Sequence, residues 1–243
     1  MNDRYSRHIS LKDLGEEGQA KLSKTSVFVL GMGGIGSPAA QYLASSGVGK
    51  LVINDFDLID KSNLSRQILF HENDIGKPKV EVAKKRINEI NDNIEVEIIN
   101  KKLNLEEYLK IVSDISFILD CSDNFETRFA ISKAAFLNKI PIIHGAAIRF
   151  EGQILVFLND GNGPCYSCIY NSEDEWLGDC QGNGVLSTVP GVIGVMMATE
   201  LLKLACGLGS ELSNCILAWD AKKNNWKKIN IDTNTSCETC SSI

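Results

Sequence analysis

The chain of 243 residues carries 25 Lys and Arg against 31 Asp and Glu, a formal charge of −6, with 44% apolar and 23% charged residues. This balance excludes a disordered or low-complexity chain, and the length suffices for one α/β domain with a real core. An acidic chain is a poor binder of nucleic acid or of an anionic membrane, because phosphate binding needs a basic face. Met1-Asn2-Asp3-Arg4-Tyr5-Ser6-Arg7-His8 holds no apolar run of a secretory signal, and the most apolar stretch, 189–209, is broken by Glu200, Lys203 and four glycines. A cytoplasmic protein without a membrane span is therefore expected. In that reducing setting the eight cysteines read as metal ligands or as chemistry, not as disulfides.

Taken in order, short apolar runs alternate with amphipathic stretches. Strands are predicted at Ser26–Leu30, Lys50–Asn54, 94–99, 116–120 and 141–144. Helices are predicted between them at 35–46, 77–91, Leu105–Val112 and 127–137. Alternation at this pace implies right-handed crossovers, hence a Rossmann-like α/β fold with a mostly parallel sheet and helices on both faces. The last third differs. Runs at 153–158, 215–219 and 226–231 lack long helices between them and predict antiparallel strands that extend the sheet. A Gly/Asn/Asp-rich stretch at 159–184 reads as a long functional loop, followed by a helix at about 192–206. One domain spans 1–243, with a nucleotide-binding part at about 20–150 and a second part at about 151–243.

Gly31-Met32-Gly33-Gly34-Ile35-Gly36 matches G-x-G-x-x-G between a strand and a helix. Glycines let the backbone approach a phosphate, and the helix N-terminus offers unpaired N–H donors. Asp55, at the end of the second strand, suits the ribose hydroxyls. Taken alone, these residues fit an NAD(P)-dependent oxidoreductase. The segment that follows, with Asp57, Ser62, Asn63, Leu64, Ser65, Arg66 and Gln67, then Lys79, argues otherwise. A dehydrogenase has no need of these cations beyond the ribose site, whereas Arg66 and Lys79 suit a triphosphate. Asp123, in Asp120-Cys121-Ser122-Asp123-Asn124, lies at the carboxyl edge of the fourth predicted strand, where it could hold Mg²⁺, with Arg128 one helical turn further on.

This order of motifs, from Arg4-Tyr5-Ser6-Arg7 through Ser62-Asn63-Leu64-Ser65-Arg66-Gln67 and Pro78-Lys79 to Asp120-Cys121-Ser122-Asp123-Asn124, resembles the MoeB/ThiF group, bacterial relatives of ubiquitin-activating enzymes. The resemblance covers essentially the whole chain. It implies adenylation of the C-terminal Gly-Gly carboxylate of a ubiquitin-like sulfur carrier (MoaD-like or ThiS-like) by ATP·Mg²⁺, with release of pyrophosphate, in molybdopterin or thiamine biosynthesis. By the same resemblance Gly31, Gly33, Gly34 and Gly36 approach the nucleotide, Asp55 holds the ribose, and Asn63, Arg66 and Lys79 neutralise phosphate charge. Asp123 ligates Mg²⁺, with Asn124 beside it. Arg7 reaches the ATP of the other subunit, which makes the expected protein a homodimer.

Cys165-x-x-Cys168 and Cys237-x-x-Cys240 form two C-x₂-C knuckles, the usual pattern of a tetrahedral structural zinc site. Cys180 lies alone in Gly178-Asp179-Cys180-Gln181-Gly182. In the ThiF branch of the resemblance a cysteine here transfers sulfur; as a residue it reads equally as an inert loop thiol. The sequence ends three residues after Cys240, so a separate persulfide donor such as a cysteine desulfurase is expected. His8, His71 and His144 form no pattern with the cysteines.

Overall fold

The computed structural model describes residues 3–161, 163–170 and 184–240. Two helices open it, α1 (Ser6–Ile9) and α2 (Gly15–Leu22). The alternating part follows: β1 (Ser26–Leu30), α3 (Gly36–Ser45), β2 (Lys50–Asn54), α4 (Lys79–Ile90), β3 (Glu95–Ile99), α5 (Leu105–Val112), β4 (Phe117–Asp120), α6 (Phe125–Leu137) and β5 (Ile142–Ile148). Then come β6 (Glu151–Phe157), α7 (Thr188–Cys206), β7 (Cys215–Asp220) and β8 (Asn225–Asn230). Among the described residues these strands form one sheet in the order β3-β2-β1-β4-β5-β6-β7-β8. Strands β3 through β5 are parallel, and β6, β7 and β8 add antiparallel. This is the expected Rossmann-like fold with its antiparallel extension.

The inner parallel strands are buried on both faces, so they read as continuous apolar runs such as SVFVL and KLVIN. One face packs on α3, α4 and α7 through Val27, Val29, Leu43, Leu51, Ile87 and Ile193. The other packs on α5 and α6 through Phe28, Val52, Tyr108, Val112, Ile118 and Ile131. By length and composition α7 could cross a bilayer. Here Ile193, Met197 and Leu201 are wholly buried in the first of these cores. Its Glu200 is ion-paired to Lys203 at 2.8 Å and accepts from the Ser210 hydroxyl.

Two boundaries differ from expectation by four residues, the others by two at most. β5 runs on to Ile148 because Gly145, Ala146 and Ala147 pair with Ile154, Gln153 and Gly152 of β6 respectively, a tertiary pairing that small residues do not announce. α7 starts at Thr188, before Pro190, since proline is tolerated in a first helical turn. The N-terminus is tied down through Tyr5. Its ring packs against Gly47, and its hydroxyl accepts from Asn91 Nδ2 at 2.8 Å.

Candidate active site

The strand order reverses between β1 and β4, both of which pair with neighbours on opposite sides. Crossovers that diverge there leave a crevice at the carboxyl ends of the strands. A cleft of about 710 Å³ occupies it, lined by the glycine loop, Asn54 to Asp57, Ser62, Asn63, Arg66, Lys79, Tyr108, Asp123, Asn124 and Arg128.

The glycine loop is shaped by contacts that a side chain would prevent. Gly31 has φ +91°, and a Cβ at Gly36 would lie 1.9 Å from the Gly31 carbonyl oxygen. Gly36 therefore sets how closely α3 approaches β1, and does not line the cleft. Among the described residues the N–H groups of Gly33, Gly34 and Ile35 have no backbone acceptor. All three residues line the cleft at the opening of α3, the arrangement that captures anions.

Asp55 is 8% exposed. Its Oδ2 accepts from the Met32 N–H at 2.8 Å and its Oδ1 from the Asp57 N–H at 2.9 Å. The carboxylate thus braces the loop, and each oxygen keeps a lone pair for a further donor. Burial pushes its pKa up, against the opposing pull of Lys79 and these N–H groups. Lys79 is the first residue of α4. Its Nζ lies 2.7 Å from Asp57 Oδ2 and 3.9 Å from Asp55 Oδ2, so in this state it is paired within the cleft wall.

Arg66 and Asn63 sit on the short turn Lys61–Asn63 and just after it. Asp60 caps that turn by accepting from the Ser62 N–H and hydroxyl, while Asn63 Oδ1 accepts from the Asp60 N–H at 3.1 Å. The Arg66 guanidinium donates to the Ser62 carbonyl at 3.1 Å and has no carboxylate at ion-pair distance among the described residues. Leu64 and Ser65 do not line the cleft. Leu64 packs against the core, and the Ser65 hydroxyl donates to Ser62 O.

Asp123 is exposed on the opposite wall and has no cation at ion-pair distance among the described residues. Asn124 caps α6, accepting from the Thr127 N–H at 2.9 Å. Arg128 donates to Ser122 O through Nε at 3.2 Å and Nη2 at 2.7 Å, so it braces the Asp123 loop from behind. Arg7 is exposed and does not line the cleft. α4 runs from Lys79 at the cleft to Asn91 at the far edge of the sheet, where Tyr5 binds. Arg7 therefore lies at the edge opposite its own cleft. Cys180 lies outside the described residues.

The expectation from sequence missed Leu103, Tyr108, Thr127, Ala146, Ala147 and Pro190, which also line the cleft. It missed a second cavity of about 460 Å³ on the α6 side of the antiparallel strands, lined by Phe125, Glu151, Gln153, Tyr170, Asp220 and Lys227 among others. The two cavities share Asp123, Arg128, Ala146 and Ala147. Ala146 and Ala147 carry no motif, and only the pairing of β5 with β6 places them there.

The four knuckle sulfurs lie within 4.8 Å of one another. Cys165 and Cys237 are 3.5 Å apart, Cys168 and Cys240 3.4 Å, and Cys165 and Cys168 3.9 Å. A tetrahedron of ~2.3 Å Zn–S bonds has edges of about 3.8 Å, so these residues fit zinc. Burial opposes the Cys237 thiolate, but the backbone N–H groups of Cys240 and Thr239 together with the Cys165 and Cys240 thiols outweigh it and bring the thiol down to about 7.

The fold and cleft define a nucleotide-binding Rossmann-like protein with a four-cysteine knuckle. Residues 5–239 match the ThiF family, and the chain belongs to it. It is 38% identical over 240 residues to the SAMP-activating enzyme E1 of Haloferax volcanii, covering 98% of this chain and 88% of that protein. It is 37% identical to the sulfur carrier protein adenylyltransferase of Thermus thermophilus, covering 98% and 90%. Identity is 40% to the adenylyltransferase and sulfurtransferase MOCS3 of Xenopus laevis, of which the chain spans 53%. The crystal structure of E. coli MccB with ATP superposes with TM-score 0.82 at 25% identity, covering 99% of this chain and 74% of that one.

Proposed function

We propose that the protein adenylates the C-terminal carboxylate of a ubiquitin-like sulfur carrier, drawing AMP from ATP. The observation that carries this reading is the cleft itself. Among the described residues, N–H donors without a backbone acceptor and an arginine without a carboxylate at ion-pair distance sit on one wall, and Asp123, a carboxylate without a cation at ion-pair distance, sits on the other. A triphosphate with a divalent cation matches that polarity, and a nicotinamide ring does not. The names of the Thermus and Xenopus relatives and the ATP bound to MccB support the same reading.

A carboxylate oxygen of the carrier attacks the α-phosphorus, the bond from that phosphorus to the bridging oxygen breaks, and the electron pair leaves with pyrophosphate. The product is an acyl-adenylate. Gly33, Gly34 and Ile35 donate N–H groups to phosphate oxygens, and Arg66 and Asn63 stabilise charge as it moves to the leaving group. Lys79 joins them by exchanging Asp57 for phosphate, and Asp55 takes the ribose on its spare lone pairs. Asp123, with Asn124 beside it, would hold Mg²⁺, which supplies charge neutralisation at the phosphates. The second cavity receives the carrier's tail. Its floor of Ala146 and Ala147 opens into the nucleotide cleft beside Asp123 and Arg128, and small residues there admit a tail without bulky side chains. On this reading 20–150 forms the nucleotide part and 151–243 the carrier part. The knuckle zinc is structural, because four sulfurs leave no open position.

Arg7 serves a second copy of the chain, whose cleft it can reach as its own it cannot, so the active form is a homodimer. A cytoplasmic setting with a separate persulfide donor completes this reading, with Cys180 the candidate for sulfur transfer. The test is ATP–pyrophosphate exchange with purified MoaD-like and ThiS-like carriers. Exchange that requires a carrier with an intact Gly-Gly end is expected; reduction of NAD(P)⁺ in its place would overturn the proposal.

A further inference from the structure

Behind the Asp123 loop lies a buried polar pair that the reaction above does not use. Asp120 ends β4 and His144 lies in β5, directly opposite in register. His144 Nδ1 is 2.7 Å from Asp120 Oδ2, with side chains 2% and 0% exposed. The other carboxylate oxygen, Oδ1, accepts from the Ser122 N–H at 3.0 Å. On the far side of the ring, Nε2 lies 3.1 Å from Ser132 Oγ. The ring is held against Tyr166 at 4.7 Å and Phe157 at 5.7 Å between centroids. Burial works against the Asp120 carboxylate, but the contacts from His144, the Arg128 charge and the bond from Ser122 together outweigh it and hold its pKa below the ordinary carboxylate value.

A buried carboxylate needs its partners, and here each has a separate consequence. Ser122 is gripped twice, its N–H by Asp120 and its carbonyl by Arg128. The next residue is Asp123. We infer that His144 is a positioning residue for the adenylation reaction: by donating to Asp120 it orients the carboxylate that anchors Ser122, and so sets Asp123 at the cleft for the metal-bound nucleotide. This rests on the adenylation reading and adds to it a residue that never touches substrate. The donor matters, beyond the volume of the ring. Without Nδ1–H, Asp120 loses its hydrogen-bond donor and can turn from Ser122, which frees the loop that carries Asp123.

Two variants separate donor from volume. His144→Leu keeps bulk without a donor. His144→Asn is smaller but places an amide N–H where Nδ1 lies. If the leucine variant does not fold, His144→Gln takes its place, since its longer amide reaches toward Ser132 instead of Asp120. The readout is the affinity for AMPCPP by calorimetry, with and without Mg²⁺, beside the Mg²⁺ dependence of pyrophosphate exchange. Bound zinc is measured in each protein, so that loss of the knuckle is not mistaken for loss of the donor. The Leu or Gln protein should lose about tenfold or more of the affinity gained from Mg²⁺, as a missing bond to a buried charge implies. Metal-free binding should hardly change, and the Asn protein should stay within about threefold of wild type on the same scale. The reverse order, with Leu active and Asn impaired, would assign His144 to packing alone and overturn the inference. Absence of exchange in the wild type would instead overturn the adenylation reading.

Discussion

Strands β3-β2-β1-β4-β5 and strands β6-β7-β8 share one sheet yet present different surfaces for chemistry. In the parallel part every crossover returns the chain to the same edge, so residues far apart in sequence, Gly33, Asp55, Arg66 and Asp123, line one cleft. Both faces of that part are covered by helices. The antiparallel part needs no crossovers, and its α6-side face carries a shallow cavity with Gln153, Asp220 and Lys227. Its outermost strand, β8, is mostly exposed. The knuckle ties the C-terminal residues Cys237 and Cys240 to Cys165 and Cys168, just beyond β6. The parallel part thus gathers reactive groups, and the antiparallel part offers a surface beside a four-cysteine cluster that could hold a metal.

The sharpest way to test this division is to remove the cluster. The double variant Cys168→Ser, Cys240→Ser should bind no zinc by metal analysis and lose about 5 kcal/mol or more of stability, a fall of about 10–20 °C in melting temperature. An unchanged melting temperature would detach the knuckle from the fold. Next comes the parallel part: Arg66→Ala should lower pyrophosphate exchange by about 10²–10³-fold with little change in melting temperature. Undiminished exchange would break the assignment of catalysis to this cleft.

A smaller effect is expected on the antiparallel face. Lys227→Glu should raise KM for the carrier by about tenfold while KM for ATP stays within about twofold. Equal effects on both would mean that the two cavities do not divide the substrates. The smallest effect is on acid stability. The Asp120 pKa is depressed in the folded chain, so its contribution is fully present above the unfolded value near 3.9 and is lost as pH falls through the folded one. Asp120→Asn should flatten that part of the stability profile, measured by urea unfolding between about pH 5 and 3. A profile parallel to wild type would remove Asp120 from the account.

The strands of both parts were legible in the sequence, but the cavity on the antiparallel part was not. β1 and β2 stand where their β-branched runs predicted, at Ser26–Leu30 and Lys50–Asn54, because strands buried on both faces must be apolar throughout. Gly33, Gly34, Asp55, Arg66 and Asp123 carry motifs, and the structure places them on one cleft. Leu64, Ser65 and Gly36 were drawn in by adjacency to those residues. A motif states which residues travel together, and only the turn geometry decides which of them face the cleft. Ala146 and Ala147 were invisible, since they matter by what they lack. His144 and Asp120 went unread as a pair because they meet only through the β4–β5 register, across 24 positions of sequence.

The central claim is that this cleft joins AMP to a visiting protein's last carboxyl group. Intact-mass spectrometry of a Gly-Gly-ended carrier, incubated with the protein, ATP and Mg²⁺ and quenched rapidly, tests it most directly. The account predicts a carrier heavier by one adenylyl group at its C-terminus, absent with Arg66→Ala and absent when the last glycine is removed. A carrier of unaltered mass, while the wild-type protein converts ATP to AMP and pyrophosphate, would contradict it.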